Sequence, residues 1–250
     1  MSHVAADAVA TAALHLMRAG QWAAATELLQ STHPDAPAER STLALAAAEV
    51  AVDRDFAQQT TDAPAALEAV DAVMEGWDVE LLKWRNDYGV ALFGSREGGP
   101  ELALRAQRLI EQAPDDRRLG AVHFWAGVLA DNLLGRSDEA FIHYTTALEL
   151  GEKTDDRLLI SYALRHLGDH AHTAGDLELA RKHWERSTEL RQEVGHLLGA
   201  LAQQTLLAVL LRDEADAAGS KALATEINRW SRQIPVPSLT HQTAHLMASG

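Results

Sequence analysis

Apolar residues recur at intervals of three and four along most of the chain, which is the spacing of one face of an α-helix. Alanine and leucine dominate these positions, and the β-branched runs that indicate strands are nearly absent. Pro64 follows Asp62, a residue type that caps helices, and Pro100 follows two glycines. The pattern predicts an all-α protein of roughly twelve helices joined by short turns.

Several positions repeat at an interval of 40 residues. The pairs are Phe124 and Leu164, Gly135 and Gly175, Ala140 and Ala180, and Tyr144 and Trp184. Each glycine suits the end of one helix, and Ser137 or Asp176 suits the cap of the next. The interval predicts a repeated helical hairpin, in which a small residue lets the helices approach and an aromatic residue fills the gap.

These hairpins resemble the tetratricopeptide repeat, whose pattern is W-x2-L-G-x2-Y, then A-x3-F, then P. The most similar unit reads Leu164-x2-Leu167-Gly168-x2-Ala171, followed by Ala180-x3-Trp184. Two further units contain Phe124-x2-Gly127 with Ala140-x3-Tyr144, and Val9-x2-Ala12 with Ala25-x3-Leu29 and Pro37. Degenerate units fit 38–75, 77–113 and 195–233, although several units lack the leading tryptophan and the Leu-Gly pair.

The resemblance implies an α-solenoid of about six antiparallel helix pairs, wound as a right-handed superhelix. We expect a repeat domain over residues 1–233, strongest at 117–192, in a variant similar to the arrays of bacterial regulators and adaptors. Residues 234–250, with Pro235 and Pro237, are then a terminal cap helix or a frayed tail.

The resemblance also implies a ligand-binding concave groove, lined by one stripe of each first helix. On the helix around Gly168, helical periodicity puts Tyr162, Arg165, Asp169 and His172 on one stripe, with His166 at its rim. Moving along the chain by the repeat interval extends the predicted groove. The added positions are Arg85, Trp125, Asn132 and Gln204. Arginine and tryptophan are frequent binding anchors, although Trp125 could instead be a core residue.

Three histidines close together in the sequence suggest a metal site, but helix geometry argues against one. His170 and His172 lie about 200° apart around a helix, so they cannot share an ion. We expect His170 to pack in the interior and Asp169 to hydrogen-bond with His172. Asp169 with His172, or with His166, could supply two metal ligands only if another repeat supplied the rest, and we predict neither a metal nor a cofactor.

Composition narrows the function classes. The formal charge of −14, with no run of Lys or Arg, argues against nucleic-acid binding. The absence of cysteine excludes disulfides, thiolate zinc sites and a cysteine nucleophile. With no signal-like N-terminus and no uninterrupted apolar run of membrane length, we expect a soluble cytoplasmic protein that is not a membrane partner.

Three functions stay open. The favoured one is an interaction scaffold that binds a peptide or partner protein in its groove. The first alternative is a sensor or accessory protein of a bacterial regulatory or biosynthetic pathway that binds a small anionic or aromatic ligand. The second is an enzyme that uses groove His and Asp residues, and for the enzyme question we lean towards no.

Overall fold

The computed structural model describes residues 5–94, 97–234 and 236–248, and over these residues the regular structure is helical. The helices are α1 (Ala6–Arg18), α2 (Trp22–Gln30), α3 (Pro37–Gln58), α4 (Ala63–Asp71), α5 (Trp77–Phe93), α6 (Gly99–Glu111), α7 (Asp116–Leu129), α8 (Ser137–Lys153), α9 (Arg157–Thr173), α10 (Leu177–Glu193), α11 (Leu197–Asp213), α12 (Ala217–Ser231) and α13 (Pro237–Ala248). A π-helical segment, Ala130–Leu134, continues α7 and is called the π turn below. None of the described helices has the length and apolarity needed to cross a membrane.

The chain divides into two compact units, Met1–Ala140 and Phe141–Gly250, and the boundary falls within α8. In the first unit, α3 packs against α1, α2, α4 and α5, and α5 packs in turn against α6 and α7. In the second unit, each helix from α9 to α13 packs against the next. This serial packing of neighbours confirms the predicted all-α helical-repeat fold.

The α9–α10 hairpin shows why the repeat needs a glycine and an aromatic residue. Trp184 is buried against Gly168, where an added Cβ would lie 2.5 Å from the Trp184 Cδ1. The Trp184 Nε1 donates a hydrogen bond of 3.0 Å to the carbonyl of Arg165. Ala171 and Ala180 pack in the same core cluster, so small side chains on both helices allow the close approach.

Carboxylates cap several helices, though not always the expected ones. Asp176 accepts a hydrogen bond from the backbone N–H of Leu179 and caps α10, as predicted. The expectation that Asp62 caps α4 is wrong, because Asp62 has helical backbone angles and makes no side-chain cap bond. Asp55, at the end of α3, accepts instead from the N–H groups of Asp62 and Ala63, at 2.9 and 2.8 Å.

Residues 237–248 form α13, which packs against α11 and α12. Leu239 and Leu246 are buried on its inner side. Asn228 of α12 donates a 2.8 Å hydrogen bond to the hydroxyl of Thr243. Apolar burial and one buried polar bond together hold this helix against the unit.

Candidate functional site

Six aromatic side chains form a cluster in the first unit. They are Phe56 of α3, Trp84, Tyr88 and Phe93 of α5, and Phe124 and Trp125 of α7. Trp84 and Tyr88 are one helical turn apart, and their rings are stacked 5.7 Å apart and nearly parallel. Trp125 contacts both rings edge-on, at 6.3 and 5.9 Å. The predicted groove residue Trp125 is therefore half-buried in a ring cluster.

One edge of this aromatic cluster is exposed. Phe56 and Phe93 are 39% and 47% exposed, and their rings meet edge-on at 5.2 Å. Phe56 also contacts the buried ring of Tyr88 and the half-buried ring of Trp125, so one face of Phe56 is packed while the rest of its ring is exposed. Val90, one turn before Phe93, is exposed as well. Sequence reasoning missed Phe56 and Phe93, because only the packing of α3 against α5 brings them together.

The predicted groove residue Arg85 is held by an aromatic ring and a carboxylate. Its guanidinium carbon lies 5.0 Å from the centre of the Trp125 ring, and its Nη1 is 3.8 Å from Glu49. The side chain is mostly buried, and its Nε has no hydrogen-bond partner among the residues described. The cation–π contact and the carboxylate fix the orientation of Arg85.

A buried carboxyl lies close to Arg85. Asp53 accepts a hydrogen bond of 2.8 Å from the indole N–H of Trp22. Burial raises the pKa of Asp53, and the bond from Trp22 and the charge of Arg85 only partly oppose the rise. Asp53 therefore belongs to a buried polar network that Arg85 connects to the aromatic cluster.

The π turn is hydrogen-bonded to this aromatic cluster. The predicted residue Asn132 lies in the π turn and donates a 2.9 Å hydrogen bond to the hydroxyl of Tyr88. The turn ends at Gly135 with a φ of 65°, in the left-handed region that glycine adopts readily. Single π turns are frequent at functional sites, so the π turn is a further reason to place a candidate site at this aromatic cluster.

The remaining predicted residues lie in the second unit, where His166 is not at a rim. Its ring stacks on the buried ring of Tyr144 at 4.6 Å and 15°, and the expectation of a rim position is wrong. Burial holds the pKa of His166 well below its ordinary value, and the charges of Arg165 and Arg191 act in the same direction. His166 is therefore neutral at pH 7, because the core of the hairpin desolvates it.

The expected bond between Asp169 and His172 is replaced by two separate pairs. Asp169 accepts from Arg165 at 2.6 Å, whereas His172 bonds to Asp213 of α11 at 2.9 Å. Burial acts to raise the pKa of Asp213, but hydrogen bonds from Arg212 and His172 outweigh it and lower that pKa. His172 turns away from Asp169 because α11 supplies a carboxylate.

His170 occupies a third environment. Its ring contacts those of Phe141 and Tyr144 at 5.7 and 5.9 Å, whereas His172 lies beside Trp184. The two histidines thus diverge as the helix geometry requires. Within the described ranges, no group of three or more His, Asp or Glu side chains is arranged to hold a metal ion.

A buried arginine that sequence reasoning missed lies beside Tyr162. The Arg191 guanidinium carbon is 5.0 Å from the centre of the predicted Tyr162 ring, and Nη1 donates to the Gly199 carbonyl at 3.1 Å. Burial lowers the pKa of Arg191 to about 10. Arg191 is seven residues, about two helical turns, after Trp184 on α10, so its position on the apolar face was a usable signal.

The last predicted residue, Gln204, is half-buried on α11. Its neighbour Gln203 is fully buried, and neither amide atom has a hydrogen-bond partner in the part of the chain that the structure describes. A buried amide without partners is rare in folded proteins. Gln203 rather than Gln204 is therefore the candidate site residue of this pair, because its buried amide is unsatisfied among the described residues.

Comparisons with known proteins agree with this architecture. Residues 119–193 match the family model described as Tetratricopeptide repeat. A search of curated protein sequences gave no significant match. Among solved structures, the chain is similar to a Signal Transduction ATPase with Numerous Domains (STAND) protein with a tetratricopeptide repeat sensor from Pyrococcus horikoshii, with a TM-score of 0.55 and 15% identity.

That similarity covers 92% of this chain but only 36% of the P. horikoshii chain, so this protein spans about a third of the length of its neighbour. At this identity the likeness shows the fold alone. The family match contains the hairpin in which Gly168 packs against Trp184. Residues 119–193 therefore belong to the tetratricopeptide repeat family, whose fold generally serves as a protein-interaction scaffold.

Proposed function

We propose that this protein is an interaction scaffold and that its first unit binds a segment of a partner polypeptide. The observation that carries the proposal is the exposed pair Phe56 and Phe93 on the aromatic cluster. Exposed aromatic rings that adjoin one another are characteristic of binding surfaces.

The rings of this surface are pre-organised. Phe56 is held by ring contacts to Tyr88, Phe93 and Trp125, so little side-chain freedom remains to be lost on binding. Low entropic cost is one reason why rigid aromatic residues dominate binding energy. An apolar side chain of the partner, packed between Phe56 and Phe93, would exploit this surface.

Charge defines the chemistry that flanks this apolar contact. Residues 1–140 contain 11 Lys and Arg against 22 Asp and Glu, a net charge of −11, whereas residues 141–250 contain 11 against 14. An acidic unit accelerates association with basic partners and disfavours acidic ones. The proposed occupant is a peptide segment with an apolar or aromatic residue next to Lys or Arg.

The proposal is tested by selecting binders from a displayed library of random peptides against the whole chain. We expect Lys and Arg to be enriched beside an apolar residue. Replacing Phe56 or Phe93 by Ala should raise the Kd of a selected peptide by about tenfold or more. Leu104→Ala is the matched control, since Leu104 is an exposed apolar residue on α6.

Two results would refute the proposal. One is enrichment of acidic peptides, and the other is a Kd that Phe56→Ala and Phe93→Ala leave unchanged. Raising the ionic strength should also weaken binding, because the steering charges are solvent-exposed.

A second candidate function is the binding of a small ligand, as in a sensor. It is supported by the buried Arg191 and Gln203 of the second unit, because the Arg191 Nε and both amide atoms of Gln203 lack partners among the residues described. The similar STAND protein carries tetratricopeptide repeats as a sensor, according to its description.

A further inference from the structure

We propose that the second unit contains a recessed site for a small organic carboxylate, built from Arg191, Arg165, Tyr162 and Gln203. The proposal does not depend on partner binding by the first unit. It rests on a buried cation without a counter-ion and on a buried amide without hydrogen-bond partners.

Arg191 carries a buried charge that no ion pair neutralises among the residues described. Its side chain is 5% exposed, and no carboxylate described in the structure lies within ion-pair distance of it. Its Nη1 donates to the Gly199 carbonyl, and Nε has no partner. Burying a charge is costly unless it is paired. The charge of Asp169 acts on Arg191 only from beyond ion-pair distance, and Asp169 is itself bonded to Arg165, so we infer that an anion completes the site.

Gly199, His196 and Tyr162 pack closely around the Arg191 side chain or hold one another beside it. An added Cβ on Gly199 would lie 2.8 Å from the Arg191 Nη1 and 2.9 Å from its Cδ, so only glycine leaves enough room. His196 Nδ1 accepts a hydrogen bond from the Gly199 N–H, which puts the hydrogen of a neutral imidazole on Nε2. That Nε2 donates to the Tyr162 hydroxyl at 3.1 Å and holds the ring under Arg191.

Gln203 lies one helical turn beyond Gly199 on the same face of α11. Its amide is fully buried, and both the oxygen and the nitrogen lack partners. An amide can accept one hydrogen and donate another, so it complements a hydroxyl or amino group. A carboxylate with such a group on the next carbon would satisfy both Arg191 and Gln203.

The charges and exposure of the residues around Arg191 restrict the net charge of the proposed ligand. Arg165 and Asp169 act electrostatically on Arg191, and they are 30% and 35% exposed. They therefore form the outer part of a site whose inner part is Arg191. With His166 neutral, two arginines and one aspartate leave a local charge of +1, which a monoanionic carboxylate balances better than a phosphate dianion.

The test measures thermal unfolding of the whole chain with glycolate, acetate and inorganic phosphate at constant ionic strength. For the wild type, Tm should rise in proportion to the logarithm of glycolate concentration, by more than with acetate and by least with phosphate. Calorimetric titration with glycolate supplies the Kd. Phosphate matching or exceeding the carboxylates would overturn the assignment of the ligand.

Arg191→Met separates a binding role from a structural one. Because the change removes an uncompensated buried charge, we expect an equal or higher Tm without ligand, together with at least about tenfold weaker glycolate binding. Arg186→Met, at an exposed position of the same helix, should respond to glycolate like the wild type. A lower Tm for Arg191→Met, with a wild type that ignores all three anions, would overturn the site.

Gln203→Leu provides a second, independent variant. It should retain the response to acetate and lose the advantage of glycolate, because the apolar side chain cannot bond to the ligand hydroxyl. Glycolate shifts that are identical in the wild type, Arg191→Met and Gln203→Leu would place binding elsewhere and overturn the proposal.

Discussion

Replacement of Gly168 by Ala tests the packing on which the α9–α10 hairpin depends. The new methyl group would lie 2.5 Å from the Trp184 Cδ1, so the buried indole must move. Overpacking costs about 1–3 kcal/mol, and losing the bond from Trp184 to the Arg165 carbonyl costs about 1–3 kcal/mol. The higher helix propensity of alanine relative to glycine offsets about 1 kcal/mol of this loss. We expect the free energy of unfolding of the second unit to fall by about 3 kcal/mol.

The measurement is urea unfolding followed by circular dichroism, with hydrogen exchange to locate the change in α9 and α10. Gly89→Ala is the matched control, because Gly89 is also helical but an added Cβ would meet Phe56 at an ordinary 3.6 Å. That substitution should be neutral or stabilise the first unit by up to about 1 kcal/mol. If both variants raised stability equally, the close contact between Gly168 and Trp184 would be refuted.

Two further predictions concern a helix cap and a buried histidine. Asp55→Ala should lower the free energy of unfolding of the first unit by about 1–3 kcal/mol, because it removes bonds to two N–H groups at the start of α4. Asp62→Ala, which removes only a partly exposed ion pair with Arg54, should cost under about 1 kcal/mol in the same urea titration, and equal losses would contradict the cap assignment. His166→Phe should flatten the pH dependence of stability below pH 6.5. A depressed folded-state pKa means that the unfolded state takes up the proton first, so wild-type stability falls by up to about 1.4 kcal/mol per pH unit as the solution is acidified. Urea titrations between neutral and mildly acidic pH would show this, and identical slopes for both proteins would contradict a neutral buried His166.

The local sequence pattern was enough to predict those features of the protein that depend on residues close together along the chain. Apolar spacing predicted the helices, and the interval of 40 residues identified the hairpin of Gly168 and Trp184, which the structure and the family match confirm. The divergence of His170 and His172 also followed from helix geometry alone. These features can be predicted from the sequence alone because helical periodicity determines which side chains share a face.

Site chemistry depended on residues far apart in the sequence. His172 is paired with Asp213, and Arg191 with Tyr162 and the Gly199 carbonyl, although sequence reasoning paired His172 with Asp169 and left Arg191 out. A helix face predicts which side chains point together, but not which partner the neighbouring helix brings to them.

The sequence by itself therefore determined that the chain forms an all-α repeat in which a small residue, such as Gly168, packs against an aromatic side chain. Backbone propensity and hydrophobic spacing are local properties, so they can be read from the sequence. Only the tertiary structure decided that Phe56 and Phe93 form an exposed aromatic edge and that Arg191 is buried without a counter-ion among the residues described. Exposure and charge pairing are properties of the packed helices, because both depend on which atoms from other helices exclude water or lie within bonding distance.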